Sequence, residues 1–206
     1  CNMKKAITIT ISIIALCLFA ACSGDGPGAE SMYIEPAQLT DEEQDIAELL
    51  GLNSDYLIYD FVLDGTAQSI QFNTYELENG EWSRKTGGGG QAFSDGSGRI
   101  ALEFDRLPDG LRIAPQSENS GGSTTYSGDG ADDDGMGSAT STLADRSDIA
   151  YEQEIPLVIQ IITSKNEIHS YDVSYFEHPE EYTEYEHVYA VTVRFSQKTV
   201  SELSEF

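Results

Sequence analysis

Ile155-Pro156-Leu157-Val158-Ile159-Gln160-Ile161-Ile162-Thr163 is the most hydrophobic stretch beyond the apolar amino-terminal run, and its reading decides the fold. It reads as a core strand, with Pro156 near its beginning, where a missing amide is tolerated. Downstream, Lys165-Asn166-Glu167 makes a turn, and residues 168–176 are expected to form a partner strand. His178-Pro179-Glu180-Glu181-Tyr182 breaks the pattern. Residues 187–196 then alternate, with Tyr189, Val191, Val193 and Phe195 on one face and Ala190, Thr192 and Arg194 on the other.

Upstream, residues 115–142 hold almost no large apolar residue and are expected to form a long mobile loop. A short strand is expected at 111–114. Within 99–105, Ile100, Leu102 and Phe104 face one way while Ala101, Glu103 and Asp105 face the other, a half-buried pattern. Residues 70–77 and 82–85 flank Glu78-Asn79-Gly80-Glu81, where Asn-Gly accepts the positive φ angles of a tight hairpin. Residues 87–90 are four glycines with no Gly-Lys-Ser/Thr after them, so they read as a flexible connection and exclude a nucleotide loop. Residues 56–63 (YLIYDFVL) carry apolar side chains on both faces and predict a central strand.

Residues 39–51 predict a helix at about 40–50. Thr40 and Glu43 have the capping-box spacing, acids fill the first turn, and Gly51 can take a left-handed stop. Ile46, Leu49 and Leu50 form a narrow apolar stripe expected to dock it. One helix against about eight strands predicts a mainly β fold, an antiparallel β-sandwich with one short docked helix. A sandwich has no default site at its strand ends, so the fold alone assigns no function.

At the front, Met3-Lys4-Lys5 supplies a positive segment and Ile7, Ile9, Ile11, Ile13, Ile14, Leu16 and Leu18 an apolar one, the pattern of a secretory signal peptide. Thr8, Thr10 and Ser12 interrupt the apolar run, which falls short of the roughly 20 residues of a spanning helix. Leu18-Phe19-Ala20-Ala21-Cys22 resembles the lipobox of bacterial prolipoproteins, although Phe19 stands where that family usually has Leu. The resemblance implies that the Cys22 thiol is the lipid attachment point and that residues 1–21 are removed just before it. Two or three acyl chains, at about 0.8 kcal/mol per buried CH₂, make a stable anchor. Cys17, preceded by Leu16, reads as a member of the apolar run, and Cys1 and Asn2 precede Met3, the expected start. Residues 22–36 are expected to be a flexible tether and 37–206 a single β-rich domain.

The sequence also resembles lipoproteins of Clostridium-type bacteria, through the helix at 39–51, the Glu78-Asn79-Gly80 hairpin and the Glu154-Ile155-Pro156-Leu157-Val158-Ile159-Gln160 run. That resemblance implies no activity.

With 36 acidic against 11 basic residues the net charge is −25. Such a field repels phosphates, and without Lys/Arg clustering it excludes nucleic acid as a partner. The three cysteines are Cys1, Cys17 and Cys22, so no disulfide framework is expected.

His169, His178 and His187 lie near Glu177, Glu180, Glu181, Glu184 and Glu186, but no spacing puts two imidazoles on one face for a metal. Asp129, Asp132, Asp133 and Asp134 with Gly130 and Gly135 suggest a calcium loop, yet the twelfth position would be Ser141, so it is no EF-hand. Tyr171, Tyr175, Tyr182, Tyr185 and Tyr189 suit strand packing, or a face for sugar or peptide. No G-x-S-x-G elbow occurs.

These readings assign no catalytic residue, metal or cofactor. They predict a non-catalytic interaction module on the extracytoplasmic face of the cell membrane. Its expected partners are the lipid bilayer, through acylated Cys22, and a protein or envelope component. The alternatives are a divalent-cation-binding surface protein using 129–135 or 177–187, and an envelope-polymer hydrolase, which needs a carboxylate pair.

Overall fold

The computed structural model describes residues 31–49, 56–87, 90–128 and 135–203. Twelve strands are found there, in two wholly antiparallel sheets. The first sheet runs in the order β10 (Ser147–Asp148), β1 (Tyr33–Pro36), β2 (Tyr56–Val62), β6 (Ser97–Glu103), β7 (Gly110–Gln116), β8 (Thr124–Ser127). The second runs β4 (Glu81–Thr86), β3 (Ser69–Glu78), β12 (His187–Ser196), β11 (Glu154–Thr163), β9 (Gly137–Thr142), with β5 (Gly90–Ala92) also on β3. The fold is the expected mainly β, sandwich-like one.

The main core lies between the sheets. Ile34, Tyr59, Phe61, Ile100, Leu102 and Ile113 of the first meet Ile70, Phe72, Leu157, Val191, Val193 and Phe195 of the second. Alternation along β2, β6 and β12 delivers these residues to one side, as a period of two requires. In β11 a register shift between Pro156 and Val158 lets Leu157 and Val158 both join this core. Ile159 and Ile161 then turn to the outer face of the second sheet. The Tyr59 hydroxyl adds a cross-sheet tie, donating to the Leu157 carbonyl at 3.2 Å.

That outer face is covered by the chain between β11 and β12. Residues 168–176 are therefore not the partner strand expected from their sequence, because β11 pairs with β12 and β9 instead. The Asp172 carboxylate accepts from the Ser174 amide at 2.8 Å and starts a 3₁₀ turn, Val173–Glu177, followed by another at Pro179–Tyr182. Val173, Tyr182 and Tyr185 bury themselves on Ile159, Ile161, Val188 and Ala190. This cover explains why β12 is almost wholly buried.

Three other expectations are corrected. The tether does not extend to residue 36, because Tyr33–Pro36 pairs with β2 and β10 and Ile34 is fully buried. Residues 115–142 are not one mobile loop, since they contain β8 and β9. Both are edge strands built mainly of Thr, Ser, Gly and Ala, which join a ladder through main-chain bonds, with Tyr126 of β8 the one large side chain between them. The glycines beginning at Gly87 serve more than flexibility. Gly87 has φ +125°, and a Cβ there would lie 2.1 Å from Asn73 Oδ1, so the chain leaving β4 passes hard against β3.

The hairpin and helix signals fall where expected. Asn79 and Gly80 have φ of 54° and 83°, joining β3 to β4. The helix, α1 (Asp41–Leu49), opens with the reciprocal Thr40–Glu43 capping box. Its docking differs from expectation: Ile46 is 58% and Leu49 85% exposed, and Ala47 is its buried residue. A second, four-residue helix, α2 (Val200–Leu203), follows β12. Leu50 and Gly51 lie outside the described residues, as do residues 1–30, with Cys22 and the segment expected to be a signal peptide.

Candidate functional site

A cleft of about 410 Å³ opens between the sheets where β3, β4 and β12 face β7 and β8. That is within the range, about 300–1,000 Å³, of small-molecule pockets. Its walls differ in character. The second-sheet side gathers the polar side chains of Thr74, Glu76, Lys85, Thr86 and His187 beside Tyr75, Tyr189, Ala190 and Val191, while the opposite side carries Leu107, Pro108, Leu111 and Tyr126 with Ser127 and Gly128.

Strand alternation builds the polar wall. Thr74 and Glu76 continue the face of β3 that, at Ile70 and Phe72, belongs to the main core. Their neighbour Tyr75 turns away and donates its hydroxyl to Glu154 at 2.7 and 2.8 Å on the outer face. Across the hairpin, Lys85 Nζ lies 2.8 Å from Glu76 Oε2 and also binds Glu78. Those two carboxylates, Glu76 first, hold the Lys85 ammonium charged well above its ordinary range. The Thr74 and Thr86 hydroxyls are 2.5 Å apart. His187 Nδ1 stands 3.7 Å from Glu76 Oε1, and its ring stacks on Tyr189 with centroids 6.3 Å apart.

The apolar wall is pinned to the second sheet by one buried amide. Gln160 accepts from the Leu107 amide at 2.8 Å and donates to the Asp105 carbonyl and the Thr140 hydroxyl, each at 3.0 Å. With no apolar alternative satisfying those groups, the Leu107–Pro108 segment is held in place. At the end of β8, a Cβ on Gly128 would lie 1.6 Å from the Pro108 carbonyl oxygen, so only glycine lets the two segments close the wall. Burial raises the Tyr126 hydroxyl above its ordinary pKa.

Of the histidines, His187 alone reaches this cleft, while His178 is exposed, 3.3 Å from Glu180, and His169 is exposed. The three are not brought together. Among the described residues no group of three or more His, Cys, Asp or Glu could hold a metal ion. Asp129, Asp132, Asp133 and Asp134 lie outside the described residues. The tyrosines divide: Tyr182 and Tyr185 pack with Trp82 and Phe176, the Tyr171 and Tyr175 rings lie 5.0 Å apart at a tilt of 34° nearer the surface, and Tyr189 lines the cleft. Among the described residues Glu76 is the one carboxylate in the lining.

The match to known families decides the relationship. The YgaN domain matches residues 33–195, from the first residue of β1 to the penultimate residue of β12. The chain belongs to the YgaN domain family. The matched span of this YgaN domain includes both sheets, the cover over the second sheet and every cleft residue named above. No curated protein and no solved structure matches the chain.

Sequence reasoning missed Glu76, Lys85, Leu111 and Tyr126 as a set. The Asn79-Gly80 turn could have paired Glu76 with the Lys85 end of its hairpin, but nothing local brings β7 and β8 opposite them.

Proposed function

We propose that this YgaN-family chain is a membrane-anchored extracytoplasmic lipoprotein, acting as a non-catalytic binding module. The observation that carries the reading is the short distance in sequence between the lipobox-like Cys22 and the start of the fold. Arg146 Nη2 donates to the Ser31 hydroxyl at 2.9 Å, and its guanidinium lies 3.4 Å from the centre of the Tyr33 ring, so the fold grips the chain from Ser31 onward. The intervening residues, 23–30, span at most about 28 Å when extended. An acyl chain on Cys22 would hold the sandwich within that reach of the bilayer and raise its effective concentration for surface partners.

The cleft supports binding over catalysis. Among the described residues its lining holds one carboxylate, Glu76, which Lys85 engages at 2.8 Å, so the cleft offers an acceptor and a donor fixed side by side. No helix of the described residues is long and apolar enough to cross a membrane.

Intact mass and membrane fractionation of the protein from its own cells, beside a Cys22→Ala variant, test this reading. The wild type is expected to begin at acylated Cys22 and to sediment with membranes, and the variant to be released. Release of both forms, unmodified, would remove the anchor.

A further inference from the structure

The cleft's asymmetry restricts what can occupy it. An occupant would meet the apolar side chains of Leu107, Leu111 and Tyr126 on one side and, beside Tyr189 and Val191, the polar groups of Thr74, Glu76 and Lys85 on the other. Charge narrows the choice further. A cation would have to compete with Lys85, which already occupies Glu76 Oε2 at 2.8 Å and also binds Glu78. An anion would enter against a net charge of −25. A neutral occupant avoids both costs. A carboxylate and an ammonium side by side place an acceptor next to a donor, which matches adjacent hydroxyl groups, each able to donate and accept.

We propose that this cleft binds a neutral saccharide, with the CH face of a pyranose ring on Tyr126 and Leu111 and neighbouring hydroxyls on Glu76 and Lys85. The proposal rests on the binding-module reading and gives it a ligand class. A sugar ring combines an apolar face with a polar rim, and Tyr offers the flat apolar surface and wet edge that such a ring requires. Addition of a peptide strand would instead use the main-chain groups of a sheet edge, whereas the polar groups converging here are side chains.

The test uses the full chain carrying Cys22→Ala, on an array of neutral oligomers of glucose, mannose and N-acetylglucosamine beside extended peptides. Calorimetric titration with the retained oligomer follows. A neutral oligosaccharide is expected to bind, and Lys85→Met and Tyr126→Ala are each expected to weaken it at least about tenfold, the scale of a hydrogen bond to a charged group. Lys85 is 41% exposed, so its variant keeps the test valid if Tyr126→Ala fails to fold. Retention of peptides with no saccharide, no binding at millimolar oligosaccharide, or binding unchanged by Lys85→Met would overturn the proposal. The bound oligosaccharide should be recovered intact. Its cleavage would sink the non-catalytic reading while leaving the saccharide site standing, and release from membranes would bear on the anchor alone.

Discussion

Glu43 of α1 and Arg99 of β6 are joined by an ion pair of 2.7 Å. The same guanidinium holds Asp60 of β2 through Nε at 2.7 Å and Nη2 at 3.2 Å. Because the other oxygen of Glu43 accepts from the Thr40 amide at 2.8 Å, one carboxylate both starts the helix and fastens it to the sheet. The Thr40 amide first, and then Arg99, hold that carboxyl below its ordinary pKa.

Polar fastening predicts how α1 responds to substitution. Arg99→Gln should speed amide hydrogen exchange in the last turn of α1 about tenfold or more while sparing β11 and β12. Ile46→Ser and Leu49→Ser, at exposed positions, should each change global stability by less than about 0.5 kcal/mol. Stripe variants that cost more than Arg99→Gln would show that hydrophobic docking holds the helix.

Gly87 carries a sharper requirement. A methyl group there meets Asn73 Oδ1 at 2.1 Å and the Phe72 carbonyl at 3.0 Å, on a backbone with φ +125°. Gly87→Ala should destabilise the domain by about 2 kcal/mol or more, by adding steric displacement of β3 to backbone strain. Urea denaturation midpoints check this, and an unchanged midpoint would show that the passage over Asn73 is not tight.

The acid limb of stability should depend on Glu186. The hydroxyls of Ser164 and Thr163 hold its carboxyl down to about 2, below its ordinary 4.5. A carboxyl lowered in the folded state contributes stability that is complete above its ordinary pKa and is lost as the pH falls from there towards about 2. Thermal melts from pH 6 to pH 2 should therefore show a shallower decline for Glu186→Gln than for the wild type across that window. Parallel declines would mean that the carboxylate contributes nothing to the Thr163–Ser164 turn.

Much of the fold was legible because its signals are local. Alternation in 187–196 placed Val191, Val193 and Phe195 on one face, and they enter the inter-sheet core together. Asn79-Gly80 marked its hairpin and Thr40 with Glu43 the start of the helix. The errors fell where local chemistry is shared between two outcomes. Tyr171, Val173, Tyr175 and Phe176 read as strand residues, yet aromatic side chains cover a sheet as readily as they build one. The serines and threonines of β8 and β9 read as loop, because a ladder made by main-chain groups leaves no apolar period to detect.

The cleft was not legible at all. Glu76 and Lys85 stand near each other through the hairpin, but Leu107, Leu111 and Tyr126 reach them only after two sheets have stacked and Gln160 has pinned the loop between β6 and β7. The sequence by itself determined the apolar strands at 56–62, 97–103, 154–163 and 187–196, where the tight turn falls and that the surface is strongly acidic, since periodicity, turn chemistry and charge are properties of neighbouring residues. The tertiary structure alone decided which strands pair, which segment covers the second sheet and what faces Glu76, because those depend on contacts between residues far apart in the chain.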